Sequence, residues 1–399
     1  MPIEERVFIV GAGPVGLVAA AHLVRRGVPV TVFEAGNDLS EESRASTFHP
    51  PTLDMLDELG AAEKLIAQGL VAPRFQYRSK QDGLIAQFDF GAISDVTRHP
   101  YRVQSEQFKL TRILLAQLRE SPEFQIEFGS PVRTVEQDGA SVTISIDQNG
   151  RASRRSARWL IGADGARSEV RRSLGIEFEG FTWPDRFLVV STPFDFHGVI
   201  PDLVSVNYVA DPERWHFLLQ IPGLWRVMFP VEPEVSDEVA TSRDFAQSLM
   251  ATVVPGISDY EMAHVTLYRV HQRVAKRYRL GRAFLAGDAA HINNPLGGMG
   301  MNGGIHDAVN LAERLARVWH GEAPESDLDR YDKQRRLITL EYVQRQTIQN
   351  KRNLEARDPE GQAAFRQTIR EIAADPKRTY EYLLGVSMVA SLRRAAELG

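Results

Sequence analysis

The segment that most constrains the fold is GAGPVG, which stands between a short apolar run and a run of helical composition. Gly11, Gly13 and Gly16 match the GxGxxG pattern, with Pro14 and Val15 between the second and third glycines. In such a loop the first glycine makes a tight turn, the second lets the backbone approach a pyrophosphate, and the third lets the helix pack on the strand. Because a second apolar strand follows the helix, we predict a dinucleotide-binding β-α-β unit at the N-terminus.

The second predicted strand ends in an acidic residue, Glu34, at a suitable distance from the glycine loop to bind a ribose diol. A carboxylate would repel the 2′-phosphate of NADP, so NADP is disfavoured at this position. NAD and FAD both remain compatible with the motif.

A second motif is LIGADGARSEVRR, in which Asp164 follows a predicted buried strand. Several arginines at the start of the next predicted helix would suit phosphate groups. The alternative is a solvated Asp-Gly turn, which is common between regular elements.

A third motif, GDAAHINNPLGGMGMNGG, follows the predicted strand RAFLAG and contains Asp288 at its start. Its glycines, among them Gly287, Gly298 and Gly300, would let a flat ring lie against the backbone. A helix is predicted to begin near Asn302, and N–H groups at a helix start stabilise negative charge. We therefore predict that this loop cradles a ring system.

Composition excludes several classes of protein. The chain has 399 residues and a net charge of −5, which argues against nucleic-acid binding. It contains no cysteine, which excludes disulfides, thiolate metal sites and Fe–S clusters, and no metal site is predicted. The uncharged run Val7–Val24 contains glycines and a proline, so we interpret it as a buried strand, turn and helix rather than a membrane span. No targeting segment is visible, and we expect a cytoplasmic protein.

Taken together, the three motifs resemble those of the single-component FAD-dependent aromatic hydroxylases of the para-hydroxybenzoate hydroxylase type. Two further segments support the resemblance, SRASTFHPPTLDMLDELG with Arg44 and VQSEQFKLTRILLAQL with Gln104. The resemblance implies an α/β fold: a Rossmann-like (GR2-type) FAD-binding domain with an inserted β-sheet substrate domain and a C-terminal helical region. The implied domains are FAD-binding over 1–75, 101–178 and 271–325, substrate-binding over 76–100 and 179–270, and helical over 326–399.

The same resemblance implies roles for individual residues towards a non-covalent FAD. Glu34 would bind the adenosine ribose, Asp164 would lie near the pyrophosphate, and Asp288 would hold the ribityl or pyrophosphate region. Pro295 would lie beside the reactive edge of the isoalloxazine. The residues whose backbone amides would face N1 and O2 of the ring are Met301 and Asn302. Arg44 would touch FAD and Gln104 would approach the flavin.

The activity that the resemblance implies is monooxygenation of a small activated aromatic, such as a phenol, hydroxybenzoate or hydroxypyridine. NADH or NADPH would reduce FAD transiently, and oxygen transfer from O2 would proceed through a flavin C4a-hydroperoxide. The expected partners are the aromatic substrate and O2, with no nucleic acid and no membrane span, in a monomer or homodimer.

Residues for the substrate come mainly from a hairpin predicted over 213–231 and from the segment after Arg44. Arg226 could hold a carboxylate or form a sheet-surface ion pair, and His216 could act as a base or be structural. Thr47 and His49, two residues apart in the segment after Arg44, are both candidates for substrate contact. The remaining pocket candidates follow from composition and strand alternation: Tyr208, Trp215, Phe217 and Trp225.

Other flavoprotein and nucleotide-binding classes fit less well. A disulfide reductase needs a cysteine pair, a flavin halogenase a GWxWxIP segment, and both are absent from the sequence. An NAD-dependent dehydrogenase would leave the Asp288 loop unexplained. An FAD-dependent reductase of an unsaturated substrate and a non-catalytic FAD-bound redox sensor stay open as alternatives.

Overall fold

A computed structural model describes residues 2–41, 45–148, 150–211, 214–355 and 359–398. The first part of the chain contains β1 (Ile3–Val10), α1 (Pro14–Arg25), β2 (Val30–Phe33), β3 (Thr47–Phe48), α2 (Pro50–Glu58), α3 (Ala62–Ala67), β4 (Leu70–Ala72), β5 (Arg74–Ser79), β6 (Gly83–Asp89), β7 (Arg102–Gln104) and α4 (Gln107–Leu118).

The middle contains β8 (Phe124–Glu127), β9 (Val132–Gln137), β10 (Val142–Gln148), β11 (Arg151–Gly162), α5 (Glu169–Ser173), β12 (Phe178–Thr192), β13 (Val206–Ala210), β14 (His216–Ile221), β15 (Leu224–Val231), α6 (Asp237–Ala240), α7 (Arg243–Met250), β16 (His264–Ala275), β17 (Arg279–Leu280), β18 (Ala283–Leu285) and β19 (His291–Ile292). The last part contains α8 (Met299–Trp319), α9 (Asp329–Ile338), α10 (Arg345–Glu355), α11 (Pro359–Ala374), α12 (Pro376–Val386) and α13 (Val389–Glu397), with a π-helical turn over Thr339–Gln344 between α9 and α10.

The first sheet has the strand order β17-β18-β11-β1-β2-β8, and its strands from β18 to β8 run parallel. Val10 at the end of β1 lies opposite Phe33 of β2 and Gly162 of β11, and Gly162 lies opposite Leu285 of β18. The loops that follow these strands carry the three motifs. The register therefore gathers the motifs at one carboxyl edge, where open parallel sheets bind ligands.

A second sheet has the order β19-β16-β12-β15-β14-β13-β5-β6. Its two faces have different apolar cores. Residues of α6 and α7 pack on one face, and residues of α10 to α13 pack on the other. A small third sheet, β3-β7-β4, pairs Thr47 with Gln104 and Ala72 with Arg102.

The predicted fold class is confirmed: an α/β nucleotide-binding sheet, a β-rich second sheet and a helical C-terminal region. The domain boundaries given above stay a prediction. The predicted start of the helix near Asn302 is wrong by three residues, because α8 begins at Met299 after Gly298, which has a φ of +66°. Within the described ranges, no helix combines the length and the apolar character needed to cross a membrane.

The glycines of GAGPVG differ in what a side chain there would meet. A Cβ at residue 16 would overlap the carbonyl oxygen of Gly11, where α1 crosses the end of β1. A Cβ at residue 13 would have nothing within 4 Å. The third glycine is thus required by packing, whereas the second leaves open space.

We expect Gly16→Ala to destabilise the protein by about 3 kcal/mol, because the overlap is with backbone that cannot rotate away. Gly13→Ala is the matched control and should cost about 1 kcal/mol or less, mainly because alanine is a poor N-cap. Denaturant unfolding of the two apoproteins measures the difference. Equal losses in the two variants would contradict the packing argument.

Candidate active site

Glu34 extends from the end of β2 towards the glycine loop. Its Oε2 accepts a hydrogen bond from the backbone N–H of Ala12 at 2.7 Å, and its Oε1 accepts one from Gly36 N–H at 2.9 Å. The carboxylate is thereby fixed beside the GxGxxG turn, where the resemblance places the adenosine ribose.

Asp164 lies against the same turn, since a Cβ on Gly11 would be 3.2 Å from its Cα. Its carboxylate accepts hydrogen bonds from the Ser168 hydroxyl at 2.5 Å and from the N–H groups of Glu169 and Val170 at 2.7 and 3.1 Å. Burial raises the pKa of Asp164, although these hydrogen bonds oppose the rise. The carboxylate therefore caps α5, a structural role that the sequence motif did not reveal.

Arg171, in the same motif, links the second motif to the third. Its guanidinium donates to the carbonyl oxygens of Ala289 and Ala166, both at 2.8 Å, and lies over the ring of Phe178. A phosphate-binding role was the sequence-based expectation for the arginines here. The structure instead uses Arg171 to hold the Asp288 loop against the Asp164 loop.

Asp307, inside α8, holds the start of the third motif through its side chain. Its Oδ2 accepts from the Gly287 N–H at 3.1 Å and contacts His291 Nε2 at 2.7 Å, while its Oδ1 accepts from Arg335 Nε at 2.7 Å. Burial alone would raise the pKa of Asp307, but His291 and Arg335 outweigh it and hold the pKa below its usual value. Sequence reasoning missed Asp307 and Arg335, since neither belongs to a motif.

The exposed part of this loop carries Asp288 and Pro295. Asn302 joins the loop to the Thr47 segment, because its Oδ1 accepts from His49 N–H at 2.9 Å and its Nδ2 donates to Thr47 O at 2.8 Å. Asn302 therefore contributes its side chain to the site's framework, in addition to the predicted backbone role. A Cβ at residue 298 would lie 3.0 Å from the Thr47 Cβ, so glycine allows this close approach.

Gln104 is fully buried beside Thr47. Its Oε1 accepts from the Thr47 hydroxyl at 2.7 Å, whereas its Nε2 has no hydrogen-bond partner. A buried amide N–H without a partner is uncommon, and a ligand carbonyl or ring nitrogen would satisfy it. Arg44 lies outside the described residues.

These contacts fit FAD at the carboxyl edge of the first sheet. Glu34 is placed for a ribose, the N-terminus of α8 is placed for a ring that carries negative charge, and Gln104 offers an unused donor. An added Cβ at residues 287, 297 and 298 would meet Val15, Asn350 and Thr47 at 2.7, 2.9 and 3.0 Å, so these glycines allow close packing of the loop on its protein neighbours. The other residues predicted to contact FAD lie in the first and third motifs, on their loops or at the starts of α1 and α8: Gly11, Gly13, Pro14, Val15, Gly16, Gly287, Asp288, Pro295, Gly298, Gly300 and Met301.

The second sheet brings several predicted substrate residues to one face. Tyr208 contacts Phe217 with ring centroids 4.8 Å apart, and Trp215 belongs to the same apolar core. On this face Arg226 donates from Nη1 to the Ser46 hydroxyl at 3.0 Å. Because Ser46 precedes Thr47, this face of the sheet meets the ring cradle.

Two predicted substrate residues do not join this group, because alternation along the strands turns them to the opposite face. Trp225 packs with Phe196 and Tyr260 in the core beneath α6 and α7. His216 lies against Phe229 of that core. Burial, reinforced by Lys80, lowers the pKa of His216 to about 4.

His49 is fully buried at the start of α2, and its Nε2 lies 2.8 Å from the Gly297 carbonyl oxygen. Burial and the charge of Arg102 lower its pKa well below the usual value, so the imidazole is neutral and donates to Gly297. Its Nδ1 has no hydrogen-bond partner. His49 therefore holds the third motif, the loop predicted to face the flavin, through Gly297. Its contact with substrate remains a prediction.

Comparison with known proteins agrees with this site. Residues 4–346 match the family described as FAD binding domain. The chain is 36% identical to para-nitrophenol 4-monooxygenase of Pseudomonas sp. (strain WBC-3), over 98% of each chain. It is 35% identical to 6-hydroxy-3-succinoylpyridine 3-monooxygenase HspB of Pseudomonas putida, over 96% of this chain and 98% of that one. The crystal structure of p-nitrophenol 4-monooxygenase PnpA from Pseudomonas putida DLL-E4 superposes with a TM-score of 0.92 over 99% of both chains, at 32% identity.

The chain belongs to the FAD-dependent aromatic hydroxylases. The predicted family, the FAD cofactor and the aromatic monooxygenase activity are thus confirmed. The assignment of individual site residues stays a prediction.

The hydroxylase also has a cavity of about 410 Å³ between α1, α8 and α9, lined by Arg26, Arg314, Arg317 and Arg330 with Asn310 and Glu313. It is formed by the far ends of these helices rather than by the motif loops. Asp327 pairs with three of the arginines, and Glu313 pairs with Arg26. The four guanidinium groups therefore share two carboxylates, and because the cavity lies away from the motif loops we assign it no part in the active site.

We expect Asp288→Ala to yield a hydroxylase that is largely free of FAD after purification, because this exposed carboxylate is predicted to hold the ribityl or pyrophosphate region of FAD. Asp244→Ala, at an exposed aspartate on α7, is the control and should retain full flavin. The flavin-to-protein absorbance ratio measures the content. Full flavin in Asp288→Ala would overturn the predicted role of this residue.

We expect His216→Leu to keep substrate-stimulated turnover. Its free energy of unfolding should depend less on pH than that of the wild type. The unfolded chain binds a proton at its ordinary pKa of 6.5, whereas folded His216 binds one only near 4. The contribution of His216 to the free energy of unfolding is therefore fully present above pH 6.5, and it falls by about 3 kcal/mol as the pH drops to 4.

The measurement is denaturant unfolding of the wild type and the variant between pH 6.5 and 4. His264→Leu, at an exposed histidine, is the control and should leave the wild-type slope unchanged. Loss of turnover in His216→Leu with FAD retained would restore the proposal that His216 is a base.

Proposed function

We propose that this hydroxylase acts on a small phenol or hydroxypyridine and transfers oxygen to the ring carbon opposite the hydroxyl, with NADH or NADPH as the reductant. The observation that carries the proposal is the aromatic face of the second sheet, which meets the flavin loops through Arg226 and Ser46. A flat apolar ring with an ionised group suits such a surface.

The bound FAD, once reduced, supplies an electrophilic oxygen atom from O2. The protein's own residues bind and orient the two rings and keep water away. Tyr208 and Phe217 offer aromatic faces, and Leu296 of the flavin loop packs into the same core. Pro295, on the exposed side of that loop, would border the space between the rings.

The proposed substrate is anionic because the cation Arg226 borders the proposed site, whereas the nearby carboxylate of Glu106 is already paired with Lys109 at 2.8 Å. Burial lowers the pKa of Arg226, opposed by Tyr268 and Glu106, yet an arginine stays protonated under all ordinary conditions. Because burial and Arg102 lower the pKa of His49, its imidazole is neutral and adds no charge to the site. A phenolate is also the more reactive form, since its negative oxygen directs electron density to the opposite carbon.

The names of two relatives favour this opposite carbon. One is named for position 4 of para-nitrophenol, which carries the nitro group, and the other for position 3 of 6-hydroxy-3-succinoylpyridine, which carries the succinoyl group. In both names the oxygenated carbon lies opposite the hydroxyl and already bears a substituent. We therefore propose that the substrate of this hydroxylase carries a removable substituent there.

With 4-nitrophenol the proposed reaction balances. 4-Nitrophenol, O2, NAD(P)H and a proton give benzoquinone, nitrous acid, water and NAD(P)+. A C–O bond forms, the C–N bond breaks, and the nitro group leaves with the bonding electron pair as nitrite. An FAD-dependent reductase of an unsaturated substrate and a redox sensor are less favoured, because the relatives reported above are named monooxygenases.

We expect the purified yellow protein to oxidise NADH or NADPH faster when 4-nitrophenol or a 4-halophenol is added, with matching loss of O2. The products with 4-nitrophenol should be quinone and nitrite in equal amounts. An oxygen electrode, a nitrite assay and mass spectrometry measure these quantities.

3-Nitrophenol is the control for position, because its nitro group cannot be displaced by attack opposite the hydroxyl. Nitrite from 3-nitrophenol, or a catechol without nitrite from 4-nitrophenol, would refute attack at the opposite carbon. The absence of stimulation by any phenol or pyridinol would refute the proposed substrate class.

A further inference from the structure

Arg102, on β7, is buried and has few polar contacts. Only 3% of its surface is exposed, its Nε has no hydrogen-bond partner, and its Nη2 donates to Val386 O at a distance of 3.4 Å. Among the described residues no carboxylate lies within ion-pair distance of it. A buried guanidinium without a carboxylate carries an unfavourable desolvation energy unless another group compensates its charge.

Other buried arginines in the described ranges have more polar contacts, including Arg78, which donates to two oxygen atoms at 2.7 and 3.0 Å although no carboxylate pairs with it. Arg335 pairs with Asp307, Arg186 pairs with Asp237, and Arg171 donates to two backbone carbonyl groups. Arg102 differs from all of these, since it has one long hydrogen bond. This contrast points to a function that a stable fold alone does not require.

The position of Arg102 joins the flavin cradle to the aromatic face. It lies two residues before Gln104 on β7, so both side chains leave the strand on the same side. The Gln104 Nε2 on that side also lacks a partner. Two donors without acceptors therefore lie next to one another along a strand that borders the predicted flavin ring.

The guanidinium of Arg102 reaches the second sheet. Its Cζ lies 5.0 Å from the ring centroids of Phe75 and of Phe90, and Phe75 contacts Tyr208 with ring centroids 6.4 Å apart. Beside them the hydroxyl groups of Tyr77 and Tyr382 are 3.0 Å apart. The cation thus lies where an aromatic ring between the flavin and this face could present an oxygen anion.

We infer that Arg102 binds the ionised hydroxyl oxygen of the aromatic substrate and thereby keeps the substrate in its phenolate form. The inference rests on the proposed function and adds a residue that determines which protonation state binds. An opposite charge within 4–6 Å lowers the pKa of an acid by about 1–3 units, so a phenol bound here would ionise more readily than in water.

The test uses the holoenzyme without NAD(P)H, so that no turnover occurs, and 4-nitrophenol as a probe whose ionised form absorbs visible light. We expect the wild type to bind nitrophenolate with an apparent pKa below that of the free phenol. In Arg102→Met this pKa should rise by about 1–3 units and the affinity for nitrophenolate should fall by about 10-fold or more.

Arg186→Met is the matched control, because it removes a buried arginine that has its own carboxylate on the far side of the second sheet. It should lower the melting temperature and leave the pKa of bound nitrophenol at the wild-type value. If Arg102 only packs on its two phenyl rings, Arg102→Met will behave in the same way as this control. That result would overturn the inference.

A variant that keeps the charge and a measurement on the wild type guard against misfolding of Arg102→Met. Arg102→Lys should retain the preference for the phenolate, and the wild type should bind 4-nitrophenolate at least about 10-fold more tightly than 4-nitroanisole. Equal affinity for the phenolate and its methyl ether would overturn the inference. If the wild type neither binds nor turns over any phenol, the proposed function is refuted together with this inference. If Arg102→Met turns over phenols normally and binds nitrophenol with the wild-type pKa, only the role of Arg102 is refuted.

Discussion

The junction between the two large sheets depends on one buried carboxylate. Asp307, inside α8, holds Gly287 at the end of the nucleotide-binding sheet and His291 at the edge of the second sheet. Arg335 compensates its charge from α9. A buried carboxylate is stable only when fully paired, so α8, α9 and both ends of the loop are fixed relative to one another. The glycine-rich segment between these anchors therefore keeps its shape, although glycine by itself restricts the backbone little.

A second layer of polar contacts fixes the outer part of the same loop. Asn302 accepts from His49 N–H and donates to Thr47 O, on either side of Phe48, and His49 contacts Gly297. Farther along, the Gln272 side chain accepts from Asn294 N–H and donates to the Thr347 hydroxyl in α10. Because each contact joins segments far apart in sequence, the ring cradle exists only in the folded chain. The oxygen chemistry of a flavin needs such a rigid and dry surface, since the protein's part is orientation and exclusion of water.

The second sheet separates stability from function by its two faces. His216 and Trp225 lie in the core beneath α6 and α7, whereas Tyr208, Phe217 and Arg226 lie on the face towards the flavin loops. The C-terminal helices complete that face, where Tyr382 contacts Tyr77. A substrate ring would thus lie between the predicted flavin site and side chains supplied by three remote parts of the chain. On the inference made above, Arg102 and Arg226 would give this space a preference for an anion.

The sequence allowed the nucleotide-binding motifs to be recognised because each one is local. The spacing of Gly11, Gly13 and Gly16 follows from one strand, one turn and one helix, and Glu34 lies on the next strand. The start of α8 was predicted three residues too late, because Gly298 begins the helix from a left-handed conformation that glycine-rich sequence leaves undetermined. Asp307 and Arg335 were missed, and Arg171 was predicted to face phosphate, because their partners are set by packing between helices and loops, not by spacing.

The sequence by itself determined the dinucleotide-binding β-α-β unit at the N-terminus, since it follows from short-range patterns of glycine and apolar residues, and the resemblance of the three motifs implied FAD. It also identified Tyr208, Phe217 and Arg226 as candidates. Only the tertiary structure decided which candidates share a face and which buried charges lack a partner. The physical reason is that burial and pairing are properties of neighbours in space, and the neighbours of Arg102 come from β5, the segment after β6, and α12.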